Sequence, residues 1–182
     1  MEMNLKQAFP SYLREDVGEV LEVMPNYKTN DDYFAVKMYG GTIRIPERLY
    51  CEELPSEVIS SLSDRKKKII FCLYMRHYDG FVREKNLSRI LSVPNIEKWV
   101  LPYILRLTGE YVVEILEEIN RHMDIINNRT LYSFINDNPK FYMRIKSRVA
   151  SYWDCHYRQK YPNKEEYVGF RILQSIQMNL DK

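Results

Sequence analysis

Cysteine is scarce and odd in number in this chain of 182 residues: Cys51, Cys72 and Cys155 stand far apart. Such spacing offers neither a disulfide framework nor a zinc-ligand pair, so reduced thiols and a cytoplasmic location are expected. Histidine is equally rare, and His77, His122 and His156 form no His-x-x-x-His arrangement. No metal and no cofactor is therefore expected. The six glycines never approach the spacing of a glycine-rich phosphate loop, and Gly40-Gly41 reads as a hairpin turn. No run reaches the ~18 consecutive apolar residues of a membrane span. The opening Met1-Glu2-Met3-Asn4-Leu5-Lys6 has no basic head before an apolar core, so neither a secretory signal nor a membrane partner is expected.

What is present is ordinary globular material, 45% hydrophobic and 29% charged, enough for one domain with a small appendage and too apolar for disorder. Tyrosine is the outlier, with 15 residues; its apolar ring and wet tip suit half-exposed helix faces and also interfaces. The charge is unevenly split. Residues 1–60 hold 6 Lys+Arg against 11 Asp+Glu, and residues 61–182 hold 21 against 14. Either the basic part meets an acidic or nucleic-acid partner, or the acidic N-terminal part rests on the basic remainder.

Along the chain, Leu13, Val17, Val20, Leu21 and Met24 recur at helical spacing after Ser11, a candidate N-cap. A strand over Val17 to Met24 is the alternative, since Gly18 interrupts the pattern. Phe34, Val36 and Met38 alternate, as do Ile43 and Ile45 beyond Gly40-Gly41; this predicts a β-hairpin. From Ser56 onward only helices are expected, with Ser56, Asp64 and Asn138-Pro139 as start signals. Arg65-Lys66-Lys67-Lys68 stands in the first turn of one of them, the wrong sign for a helix N-terminus. Pro102 either starts its helix or kinks it. The division expected is an N-terminal helix and hairpin segment over 1–55, then a helical bundle over 56–182.

The centre of that bundle carries a motif. Asp79, Val82, Arg83 and Leu87 form a turn Asp, a Val-Arg pair at a helix start, and an apolar residue one turn on. This resembles the second half of a HEAT-type helical repeat. Asn86 departs from the pattern, which usually has a small apolar residue there, and the pair Trp99–Leu107 and Glu110–Met123 lacks the signature. The resemblance covers roughly residues 64–126. It implies a mainly α fold, a HEAT-like bundle of stacked helix pairs, with a surface that binds a partner. By the same motif Asp79 is expected to cap the second helix and Arg83 to reach carboxylates in neighbouring turns.

Four clusters bear on chemistry. Arg76-His77-Tyr78-Asp79 offers His77 as a general base oriented by Asp79, or Arg76, His77 and Tyr78 as an anchor for an acidic partner; alternatively, Arg76 and His77 only serve a helix end. Lys140, Arg144 and Arg148 recur every four residues beside Phe141, Ile145, Val149, Tyr152 and Trp153, a basic stripe suited to phosphates or an acidic protein, or merely a solvated face. Cys155 and His156 are consecutive, so on a helix they point about 100° apart and make no nucleophile pair. Glu114, Glu117 and Glu118 lack the histidine or second acidic helix that a metal site needs. The expectation that follows is a non-catalytic protein-binding module, an adaptor or an inhibitor of immunity type, with an unidentified protein partner. Nucleic-acid binding through the basic helix is the alternative, and an enzyme, third, would need distant residues to converge.

Overall fold

The computed structural model describes residues 4–93, 95–126 and 128–180. The fold is mainly α with one small hairpin, and its contacts divide the chain into two units, residues 1–90 and 91–182. The sequence reading divides at 55/56. The difference has a cause: the first long helix after Ser56 is tied by ion pairs and side-chain bonds to the N-terminal segment, as set out below.

In the first unit, a 3₁₀ turn over Ser11–Leu13 leads into α1 (Arg14–Val23). Leu13, Val17, Val20 and Met24 are buried, so the helical reading holds and the strand alternative does not. Ser11 makes no cap; Pro10 occupies that position without a side-chain bond. Two short strands frame the next segment: β1 (Lys28–Thr29) pairs antiparallel with β4 (Leu49–Tyr50). Between them lie β2 (Tyr33–Met38) and β3 (Gly41–Pro46), paired Phe34↔Ile45, Val36↔Ile43 and Met38↔Gly41. The turn is thus Tyr39-Gly40, one residue earlier than the Gly-Gly expectation. Both turn residues have positive φ, 48° and 77°, as the twist-matched two-residue hairpin loop requires. A turn at Gly40-Gly41 would set Phe34 opposite Glu47, whose carbonyl is taken by Arg76.

The helices α2 (Ser56–Ser61) and α3 (Asp64–Tyr74) come next. Ser56 makes no N-cap bond, and Ser63 rather than Asp64 caps α3, accepting from the Lys66 N–H. Of the four cations of its first turn, Lys67 pairs with Asp64 of the same turn at 3.7 Å, while two reach α1, Arg65 pairing with Asp16 at 3.4 Å and Lys66 with Glu19. Their attraction to α1 offsets the unfavourable helix dipole, and it joins the acidic N-terminal part to the first basic helix. The first unit then runs into α4 (Gly80–Leu91).

The second unit is built around α5 (Leu101–Thr108), all eight of whose residues are buried. Pro102 stands in its first turn, where no backbone donor is needed, so the helix starts there and is not kinked. Around it come α6 (Val113–Arg121), α7 (Met123–Ile126), α8 (Arg129–Asp137), α9 (Pro139–Tyr152) and α10 (Val168–Leu180). α6 and α9 lie on α5, α8 lies on α9, and α10 lies on α6 and α9. Asn138 precedes α9 but does not cap it; its amide donates back to the Phe134 carbonyl at 3.0 Å. α9 continues as a π-helix over Trp153–Tyr157. There Trp153 rests edge-on against Phe170 of α10, 5.8 Å between ring centres.

Candidate functional site

The segment between α3 and α4 is held by buried cations. Arg76 has none of its surface exposed. Its Nε donates to the Pro46 carbonyl (3.2 Å), Nη1 to Met75 (3.3 Å) and Nη2 to Glu47 (2.8 Å). The Glu47 carboxylate lies 3.6 Å from Nη2, and the guanidinium stands over the Phe34 ring. In the backbone, the Leu49 N–H donates to the Arg76 carbonyl and the Tyr78 N–H to the Leu49 carbonyl. The turn is therefore joined to β4 as a short strand would be. Arg83, only 2% exposed, donates from Nη1 to the carbonyls of His77 and Tyr78, each at 2.8 Å. The acceptors of both bonds are backbone carbonyls of the preceding turn. Asp79 does cap α4, its Oδ1 accepting the Phe81 N–H at 2.8 Å.

His77 is buried and occupied at both nitrogens. Nδ1 accepts the Asp79 N–H at 3.1 Å, so the ring hydrogen belongs on Nε2, which donates to the Cys51 carbonyl at 2.9 Å. No lone pair is left for a substrate proton, which removes the general-base reading. As partner-facing residues Arg76 and His77 are corrected too: they are interior ties, because carbonyls of the 46–51 segment surround them. Nearby, the Tyr74 hydroxyl accepts the Leu54 N–H at 2.8 Å. Burial, opposed by that bond, pushes its pKa up to about 12.

What this knot presents outward is aromatic. Tyr78 stacks on Tyr50 with ring centres 5.5 Å apart and planes 12° from parallel, and both residues are about half exposed. Phe81, three residues on and at the start of α4, is 82% exposed. Tyr78 belongs to the sequence-derived set; Tyr50 and Phe81 do not. Phe81 lies off the stripe that α4 buries, Arg83, Asn86, Leu87, Ile90 and Leu91. That stripe is hard to see in the sequence because two of its members are polar.

The basic helix divides its residues between two tasks. Lys140 and Arg144 are exposed on the outer face of α9, and among the described residues no carboxylate lies within ion-pair distance of either. Arg148 turns inward. Its Nε donates to the Gly109 carbonyl at 2.9 Å, and Nη2 donates to the Tyr152 hydroxyl at 3.2 Å. It ties α9 to the end of α5 and leaves the stripe one member short. Lys146 stands over the Tyr142 ring at 5.2 Å.

The remaining chemistry is quiet. Glu117 pairs with Arg171 of α10 at 3.6 Å, and Glu118 pairs with Arg121; among the described residues no group of His, Cys, Asp and Glu could hold a metal ion. All three cysteines are free thiols. Burial, with Glu53 nearby, raises the Cys51 thiol to about 11, so it stays protonated near neutrality and is a poor nucleophile. Among the described residues no helix is long and apolar enough to cross a membrane. No family model, curated protein or solved structure matches the chain.

Proposed function

We propose that this protein acts by non-catalytic contact with another protein, as an adaptor or an inhibitor, and that Tyr50, Tyr78 and Phe81 form the centre of the contact. The observation that carries this is the pairing of an exposed aromatic surface with a rigid support. Aromatic side chains bury much area at small entropic cost, and they dominate interface energetics when their geometry is fixed beforehand. Here the fixing is done by Arg76, His77 and Arg83, which hold the backbone of residues 76–78 against β4. The stacked helix pairs implied by the Asp79 to Leu87 motif belong to the same proposal, with the α3–α4 turn as the binding edge. Free thiols fit a cytoplasmic site of action.

The test is site-specific photocrosslinking in cells with a benzophenone side chain at position 81, and at exposed Met143 as control. A discrete protein adduct from position 81, lost in Tyr50→Ala/Tyr78→Ala, is expected. Equal adduct patterns at 81 and 143 would remove the proposal.

One observation favours nucleic acid as a second reading: Lys140 and Arg144 stand exposed on one helix face. Fluorescence polarisation against random duplex DNA and RNA at low and moderate salt decides it. With two phosphate contacts, log K should fall with log salt at a slope near about −2, and Lys140→Glu/Arg144→Glu should abolish binding. No binding at low salt eliminates this reading.

A further inference from the structure

A cleft of about 660 Å³ lies in the first unit, between residues 4–14 and the β2–β3 hairpin. Its lining is unlike the segment that supplies it. Residues 1–60 carry 11 Asp+Glu and 6 Lys+Arg, yet among the fourteen described residues lining the cleft there is no carboxylate and there are three cations, Lys6, Arg14 and Arg44. Half the cations of an acidic segment thus line one concavity from which every described acid is absent; the Lys6 ammonium lies beside Gly18 of α1 and the Arg44 guanidinium over the Tyr33 ring. Such a site attracts anions, and two guanidinium forks suit phosphate oxygens in particular.

The mouth of the cleft is aromatic. Tyr12 and Tyr39 meet edge to face with ring centres 5.5 Å apart, and they are 58% and 57% exposed. Tyr39 reaches that position with φ of 48°, a left-handed conformation that a bulky residue adopts at a cost and that Asn or Gly would adopt without one. An aromatic ring held at a cleft mouth in an unfavourable backbone conformation is a sign of use. We propose that this cleft binds a phosphate-bearing small molecule with a flat ring, nucleotides being the class: the cations take the phosphates and the tyrosines take the ring. The volume lies within the range of small-molecule sites, about 300–1,000 Å³. The site is separate from the Tyr50–Tyr78 surface and stands or falls without it.

Calorimetric titration of the whole protein with ATP, inorganic tripolyphosphate and adenosine, without divalent metal, tests the assignment. ATP should bind with a Kd below about 100 µM. Tripolyphosphate should bind at least about tenfold more weakly, and adenosine weaker still, because each carries half of the recognised chemistry. Arg14→Gln and Arg44→Gln should each weaken ATP by about tenfold, with unchanged circular dichroism and melting as the check on folding. Tyr39→Gly, which suits the turn, should weaken ATP while leaving tripolyphosphate unaffected. Failure of ATP to bind at about 1 mM overturns the proposal, as does binding that survives all three variants or is lost instead in Lys140→Gln/Arg144→Gln. Tripolyphosphate binding as tightly as ATP, with Tyr39→Gly silent, overturns the ring half of the assignment.

Discussion

Replacing Arg83 by Met is the sharpest test of the buried knot. Met keeps most of the apolar stem and removes the guanidinium, so the His77 and Tyr78 carbonyls, both accepting at 2.8 Å, lose their charged donor. A hydrogen bond from a charged group to a buried acceptor contributes about 1.5–3 kcal/mol, and an acceptor left buried without a partner bears its own desolvation cost. Two such bonds give a loss of about 3 kcal/mol or more. For a chain of this size that is a fall in Tm of roughly 6–12 °C. Native-state hydrogen exchange reads the effect where it arises. The Tyr78 amide, bonded to the Leu49 carbonyl, should exchange roughly a hundredfold faster, at about 1.4 kcal/mol per tenfold. Lys85→Met is the control, since its pair with Glu53 is half exposed and such pairs contribute about 0–1 kcal/mol. If Arg83→Met costs less than about 1 kcal/mol, or leaves the Tyr78 amide as protected as before, the knot does not hold the turn. The support argued for the aromatic surface then fails.

Two glycines predict opposite outcomes. At Gly18 in α1 an added Cβ would meet only the flexible end of Lys6, at 3.6 Å, so Gly18→Ala should raise stability by about 0.5–1 kcal/mol through helix propensity. At Gly169 the Cβ would stand 2.8 Å from both Tyr167 Cε1 and Val149 Cγ1, and Gly169→Ala should cost about 1–3 kcal/mol; urea melts separate the two. The Tyr142 hydroxyl is buried with no hydrogen-bond partner among the described residues, so Tyr142→Phe should be neutral or stabilising. Burial lifts the pKa of Tyr142, like that of Tyr74, to about 12 from the ordinary 10. The unfolded chain therefore releases these protons first, and stability should hold up to about pH 10 and fall as the pH rises towards 12, followed by phenolate absorbance and circular dichroism together. Iodoacetamide at pH 8 should modify exposed Cys155 first, leave Cys51 largely protonated, and reach buried Cys72 only on unfolding, as peptide mass mapping would show.

Periodicity carried most of the fold. The stripe Leu13, Val17, Val20, Met24 is the buried face of α1, and the two alternating runs are β2 and β3, because in each the apolar spacing agrees with the period of the element. Local signals give way where tertiary bonds compete with them. Asn138 has a cap's position, but its amide is drawn to the Phe134 carbonyl behind it. Arg65 and Lys66 break the dipole rule within α3 because Asp16 and Glu19 of α1 stand beside them. A division at 55/56 follows the change in composition, whereas bonds such as Leu54 N–H to the Tyr74 hydroxyl and Arg76 to the Pro46 carbonyl cross it.

The candidate site was less legible, and α4 shows why. The apolar residues Val82, Leu87, Ile90 and Leu91 span one arc of this helix at about 100° per residue, and Arg83 and Asn86 fall inside it, where polar side chains are not expected to be buried. The face that is buried includes both, since Arg83 satisfies two carbonyls of the preceding turn and Asn86 donates to the Val82 carbonyl at 2.8 Å. Phe81 stands on the opposite side of the helix from that arc, so it faces outward although its hydrophobicity alone would favour burial. The polar groups hold the turn and its backbone geometry, while the outward aromatic ring is left where another molecule can reach it. Substituting Phe81 should therefore barely change stability, within about ±0.5 kcal/mol as for other surface positions, while substituting Arg83 should change it greatly. A Phe81→Ala variant that melts as the parent does yet loses its partner would separate contact from folding. A Phe81→Ala variant that unfolds would mean that the ring is part of the core and that the surface reading is wrong.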